Sequence, residues 1–208
     1  MKLLFIIAVL LLDLYSVAEQ SGLLNGTYDG ICWGYYTILS NILVIIYFLM
    51  ALLNELFTVA PLAENPVFSF TVMMSITLTF IIFHFLLMPY LVKAWKEGSG
   101  WNPYRLSNLG VHYICPIMTF IYFFCFIDRD GMKTSDGLWW LLSPCAYLVY
   151  AAVLAKTGFT FADGEHWAYW FMNFDQLGFR KAGRNLAVLL IGFGLLGLLV
   201  AYISIVLR

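Results

Sequence analysis

Six apolar stretches, at residues 3–17, 31–52, 68–92, 109–127, 137–154 and 186–207, constrain this chain more than any other feature. A hydrocarbon core of about 30 Å takes about 20 helical residues at a rise of about 1.5 Å each. The stretches are separated by short polar segments, so the expected fold class is all-α, a polytopic membrane helical bundle of about six transmembrane helices. The segment at 157–184 is too polar to span. Its aromatics, Trp167, Tyr169, Trp170, Phe171 and Phe174, predict a stretch lying at the membrane interface, where amphipathic rings are favoured.

Composition excludes the competing classes. Charged residues make up 11% of the chain against 62% hydrophobic, whereas a soluble domain carries about 25% charged residues. A net charge of −1 provides no basic field for a nucleic-acid partner. Six spans use most of the 208 residues, which predicts one integral membrane domain over 1–208. The expected location is multi-pass in a membrane, the inner membrane in a bacterial cell. Met1-Lys2 and the apolar run after it resemble a signal peptide, and Ser16-Val17-Ala18 matches a small-x-small cleavage pattern. Asp13 interrupts the run, which favours a retained first helix. Cys32, Cys115, Cys125 and Cys145 lie in or beside apolar runs without a CxxC pair and read as small packing residues.

Alternation of the spans puts loops one, three and five on one face and both termini with loops two and four on the other. The first face carries seven basic residues (Lys93, Lys96, Arg105, Lys156, Arg180, Lys181, Arg184) and the second four (Lys2, Arg129, Lys133, Arg208). That bias points to the first face as cytoplasmic, and Lys2 ahead of the first helix argues the other way.

The same alternation sorts the polar residues inside the spans. Thr37, Ser40 and Asn41 open the second span, Asn108 and His112 the fourth, and Asn185 precedes the sixth. His84 lies late in the third span and Asp13 late in the first. All of them fall in the half of the membrane next to loops one, three and five. Polar groups in hydrocarbon face the bundle interior or a wet cavity, so a polar cavity open to that face is expected. Thr37, Ser40 and Asn41, at i, i+3 and i+4, share a helix face, and Asn108 with His112 are one turn apart.

Thr37 and His112 form the candidate catalytic pair. A hydroxyl becomes a useful nucleophile when a neighbouring base removes its proton, and neutral histidine suits that task near pH 7. Both residues stand in the first turns of their helices, where the positive end of the macrodipole favours a developing oxyanion. Against this, threonine and histidine also serve membrane helices as interhelical glue. Asn41, Asn108, Ser40, His84 and Asp13 are candidates for positioning the substrate or the imidazole, Asp13 by orienting His112 as an acid orients the base of a hydrolytic triad. His84, His112 and His166 are an alternative zinc set, though no HxxxH or HExxH spacing pairs two of them on one helix, so no metal or other cofactor is expected. Asp128-Arg129-Asp130-Gly131 resembles the start of a calcium loop without its closing Glu and reads as a solvated turn. Asn25-Gly26-Thr27 matches a glycosylation acceptor, and Gly192, Gly194 and Gly197 suit close helix packing.

Tyr36-Thr37-Ile38-Leu39-Ser40-Asn41 resembles the Y/F-T-x-L-S-N motif of bacterial membrane proteins related to the androgen-induced-gene family, which includes the androgen-dependent TFPI-regulating protein. The likeness continues through Asn108-Leu109-Gly110-Val111-His112-Tyr113 with Pro116, then Trp140 through Pro144 to Tyr147 and Tyr150. It ends at Tyr169 to Phe171, Asp175 to Gly178 and Asn185. The resemblance implies an intramembrane threonine hydrolase, with Thr37 as nucleophile and His112 as base. Animal members hydrolyse fatty acid esters of hydroxy fatty acids. This chain departs from their pattern at Asn108-Leu109, where they carry an Asn-His pair, and at Ala168-Tyr169-Trp170, which lacks their proline. The expected substrate partner is a lipid ester drawn from the bilayer. The alternatives are the zinc-dependent hydrolase and a non-enzymatic lipid-binding membrane protein.

Overall fold

A computed structural model describes residues 1–28, 30–99 and 102–207. It contains six helices long and apolar enough to cross a membrane, and no strand among the described residues. They are α1 (Lys2–Gln20), α2 (Tyr36–Phe57), α3 (Pro66–Lys96), α4 (Leu106–Phe126), α5 (Thr134–Lys156) and α6 (Phe174–Val206). The protein is an all-α, multi-pass helical membrane bundle.

Local chemistry sets the helix starts. Asn65 caps α3, its Oδ1 accepting from the amides of Val67 and Phe68 at 3.0 Å each, and Pro66 fills the first helical position, where no amide partner is needed. Asn173 caps α6 in the same way, with Oδ1 accepting from the amides of Asp175 and Gln176. The sixth helix therefore begins at Phe174, well before the expected 186. The backbone breaks once, at Gly178, whose φ of 70° departs from helical geometry. Hydropathy underestimates this helix because its first turns carry Arg180, Lys181 and Arg184, exposed on its outer side.

Two of the spans contain a π turn, Phe83–Leu87 in α3 and Gly110–Ile114 in α4. Such turns recur at functional sites because the slipped amide ladder re-aims side chains and leaves a carbonyl available. Both lie in the half of the bundle next to loops one, three and five.

The core is aromatic and closely packed. Phe48, Tyr47 and Tyr122 meet edge-on, with Phe48 and Tyr122 centroids 4.9 Å apart, and Phe70 packs on Phe123. Of the glycines expected to bring helices together, Gly197 does so: a Cβ there would collide with the Gly137 carbonyl and the Trp140 indole of α5. Gly194 has ordinary clearance and Gly192 faces open space. The turn expected to be solvated is instead anchored. Arg129 is 8% exposed and donates to the carbonyls of Phe124 (2.7 Å) and Leu207 (3.1 Å), which places a cation at the carboxyl ends of both α4 and α6. On the same face, Lys2 donates to Glu64 at 2.8 Å and pairs with Glu55 at 3.3 Å.

Candidate active site

The start of α2 is held from three sides. Ile31–Gly34 forms a 3₁₀ turn ahead of it, and two tyrosines of α5 fasten that turn, Tyr147 donating to the Gly34 carbonyl at 3.0 Å and Tyr150 to the Trp33 carbonyl at 3.1 Å. The Tyr36 hydroxyl reaches Ser143 on α5 at 3.0 Å and the Ser75 carbonyl on α3 at 3.3 Å. Thr37, the next residue, inherits this fixed position.

Opposite it, the π turn of α4 presents His112, 8% exposed. Thr37 Oγ1 lies 3.4 Å from His112 Nε2, and His112 Nδ1 lies 3.0 Å from the Asn108 carbonyl oxygen. A carbonyl can only accept, so Nδ1 carries the proton and a neutral ring turns an unprotonated Nε2 toward the threonine hydroxyl. The Phe83 ring stacks on the imidazole with centroids 3.6 Å apart, which holds the ring plane. Each participant is thus oriented by a second group, the arrangement a hydroxyl nucleophile and its base require.

The other sequence candidates divide. Asn41 donates from Nδ2 to the Thr37 carbonyl (2.7 Å) and the Val111 carbonyl (3.2 Å), tying α2 to α4 directly beneath the pair. Asn108 donates to the Pro103 carbonyl at 2.7 Å, and its own carbonyl orients His112. Ser40 faces Thr79, with Oγ–Oγ1 at 2.7 Å, and also bonds the Thr37 carbonyl. It reaches neither cavity described below. His84 points outward, Nδ1 3.1 Å from the Tyr113 hydroxyl and its ring stacked on Phe80. His166 Nδ1 sits 2.8 Å from the Phe159 carbonyl in the loop before α6. His84, His112 and His166 are therefore engaged separately, and among the described residues no three His, Cys, Asp or Glu side chains gather as a metal site.

Asp13 is fully buried, its carboxylate beside the Cys115 thiol with no hydrogen-bonding partner of good geometry. The carbonyl of Asn108 occupies the place at His112 Nδ1 that an orienting acid would take. Asp13→Asn is accordingly expected not to lower the thermal midpoint, since the amide keeps the shape of the carboxyl and cannot ionise in hydrocarbon. A melting curve on purified protein checks this; a lowered midpoint would show that the carboxyl makes a bond the amide cannot.

Two cavities meet at Thr37. A vestibule of about 1200 Å³ opens toward loops one, three and five, with Arg105, Asn108, His112, Gln20, Asn25 and Asp163 among its polar lining. Arg105 and Ser107 both bond Glu19 at its rim, pinning α1 to the start of α4. A narrow apolar slot of about 80 Å³ runs the other way between α3, α5 and α6, past Leu78, Ile82, Leu148, Leu186, Leu189 and Phe193. Thr37, Phe83, Leu87 and Tyr169 line both.

The segment expected at the interface turns inward. Tyr169 and Phe171 are each 8% exposed and stack with centroids 5.4 Å apart and planes 5° from parallel. Asn185 of α6 holds them there by donating to the Phe171 carbonyl at 3.1 Å. Trp170 alone keeps the outward aspect, 60% exposed. Periodicity could not find Tyr169 as a site residue, because its segment has no regular repeat. Protein-family models, curated proteins and solved structures were all compared with the chain, and none matches it.

Proposed function

We propose that the protein is an intramembrane hydrolase of lipid esters, with Thr37 as nucleophile and His112 as general base. The observation that carries this reading is the placement of an oriented Thr37–His112 pair where a polar vestibule meets an apolar slot. An amphipathic ester could lie across that junction, the slot taking the first methylenes of its hydrocarbon limb and the vestibule its polar limb. The resemblance of the Tyr36–Asn41 and Asn108–Tyr113 segments to the androgen-induced-gene family supports the same assignment.

In the proposed reaction His112 Nε2 takes the proton of Thr37 Oγ1 as the oxygen bonds to the acyl carbon, and the carbonyl electron pair moves onto oxygen. Collapse restores the carbonyl and breaks the bond to the alcohol oxygen, which receives the proton from His112 and leaves. Water entering from the vestibule then gives a proton to the same nitrogen and attacks the acyl-threonine. The second collapse returns the proton to Thr37 and releases the carboxylic acid. Ester and water become alcohol and acid, with no cofactor. In a bacterial cell the site would lie in the inner membrane.

The slot yields a prediction about substrate. Leu189→Trp adds bulk to its wall and is expected to lower kcat/KM for long-chain p-nitrophenyl esters by about tenfold or more while sparing the acetate, as a change of pocket volume is worth about 1–3 kcal/mol. Equal losses on both esters would place the hydrocarbon limb elsewhere. The reading itself is tested by ester hydrolysis with detergent-purified protein and by labelling with a fluorophosphonate. Turnover and labelling at Thr37 are the expected results; no turnover across an ester panel would leave a lipid-binding protein.

A further inference from the structure

We propose that the hydroxyl of Tyr169, which shares both cavities with Thr37 at the start of α2, is the oxyanion donor of this site. The inference rests on the hydrolase reading and adds the one component that the Thr37–His112 pair lacks. Acyl transfer puts a negative charge on the carbonyl oxygen, and in a low-dielectric site a positioned donor at that oxygen is among the largest rate factors. Inside a membrane helix the backbone amides are already bonded, so donors come from a helix start or a side chain.

Tyr169 is such a side chain, placed at a helix start. Its hydroxyl lies against the Thr37 side chain and against the backbone of Tyr36 and Thr37 at the opening of α2. These residues occupy the first helical positions, where amides have no intrahelical acceptor. The phenol thus stands beside Thr37, whose Oγ1 is the atom about to bond the acyl carbon, and shares both cavities with it. His112 approaches the same Oγ1 as acceptor. The threonine oxygen thus has a base and a phenol near it, and an acyl group bound to it would place its carbonyl oxygen within reach of Tyr169. The ring is fixed by its stack on Phe171 and by edge contacts with Tyr35 and Tyr147 at centroid separations of 6.3 and 6.4 Å. Tyr169 also borders both cavities, as a group contacting the reacting carbonyl must.

Burial holds the phenol proton on. The Tyr169 hydroxyl lies outside the spanning helices, and loss of solvent pushes its pKa up to about 12, with the Thr37 and Tyr36 contacts opposing part of that rise. The folded-state pKa is raised, so the donor form is complete at neutral pH and is lost only as pH climbs toward that value.

The test is Tyr169→Phe, which keeps the stack on Phe171 and removes one oxygen. Expected is a fall in kcat of about 10²–10³-fold with little change in KM, the signature of a donor used in the transition state. Affinity for a trifluoromethyl ketone, which forms the tetrahedral adduct, should fall by a similar factor, while binding of the product acid should not. Should the phenylalanine variant lose its fold, 3,5-difluorotyrosine at position 169 serves instead. It lowers the phenol pKa, so the alkaline limb of the activity profile must move to lower pH, which a packing role would not produce. Wild-type kcat in Tyr169→Phe, with Thr37→Ala inactive, overturns the oxyanion role and leaves the hydrolase standing. No ester turnover by wild type overturns the hydrolase and this role with it.

Discussion

His112→Ala is expected to lower ester turnover by about 10⁴-fold or more, and Thr37→Ala to leave only background hydrolysis, with both proteins melting near wild type. Removing one member of a nucleophile–base unit costs nearly as much as removing the unit, because neither acts without the other. In the proposed reaction the separation of 3.4 Å between Thr37 Oγ1 and His112 Nε2 is what would couple them as one unit. The double variant should therefore be no slower than the worse single one; additive losses would mean that the two residues act independently. Asn108→Ala supplies the contrast. Its contribution to His112 comes from the backbone carbonyl, which alanine retains, so the loss should be modest and confined to the Pro103 bond that steadies the turn. A loss as large as that of His112→Ala would show that the carboxamide itself contacts substrate. Thr37→Ser should keep measurable turnover, since the hydroxyl survives and only the methyl is lost.

The second large effect is structural. Gly197→Val is expected to lower stability by about 3 kcal/mol or more, read as a fall in the thermal midpoint in detergent, and to reduce long-chain ester turnover further than stability alone explains. A β-branched side chain at this position meets the Gly137 carbonyl and the indole of Trp140, which is fully buried and cannot step aside. Overpacking of a tight contact commonly costs about 1–3 kcal/mol, and backbone against backbone leaves the least room to relax. The expected response is a shift of α6 away from α5. Because Leu186, Leu189 and Phe193 of α6 wall the slot, that shift also deforms the place proposed for the hydrocarbon limb. Gly192→Val is the control: the position faces open space, so neither stability nor turnover should change appreciably.

The number of spans, their order and the side of the membrane on which the polar groups collect were legible in the chain. Each of these depends on quantities that a linear chain carries: the length of an apolar run against bilayer thickness, and the alternation of direction from one span to the next. Helical spacing alone put Thr37, Ser40 and Asn41 on one face and Asn108 beside His112. It took the packing of the helices to bring Thr37 and His112, 75 residues apart, together and to turn the side chains of Ser40, His84 and Asp13 elsewhere. Contact between helices depends on how each is rotated about its own axis. In α3 and α4 a π turn resets that rotation at the residues in question, Phe83 and His112, so an ideal helical repeat cannot assign their direction. Tyr169 was beyond sequence reach for a related reason. An aromatic beside a membrane has the same hydropathy whether it lies at the interface or folds back into the bundle, and the bonds that choose inward run from Asn173, the cap of α6, to the Glu165 carboxylate and from Asn185 to the Phe171 carbonyl.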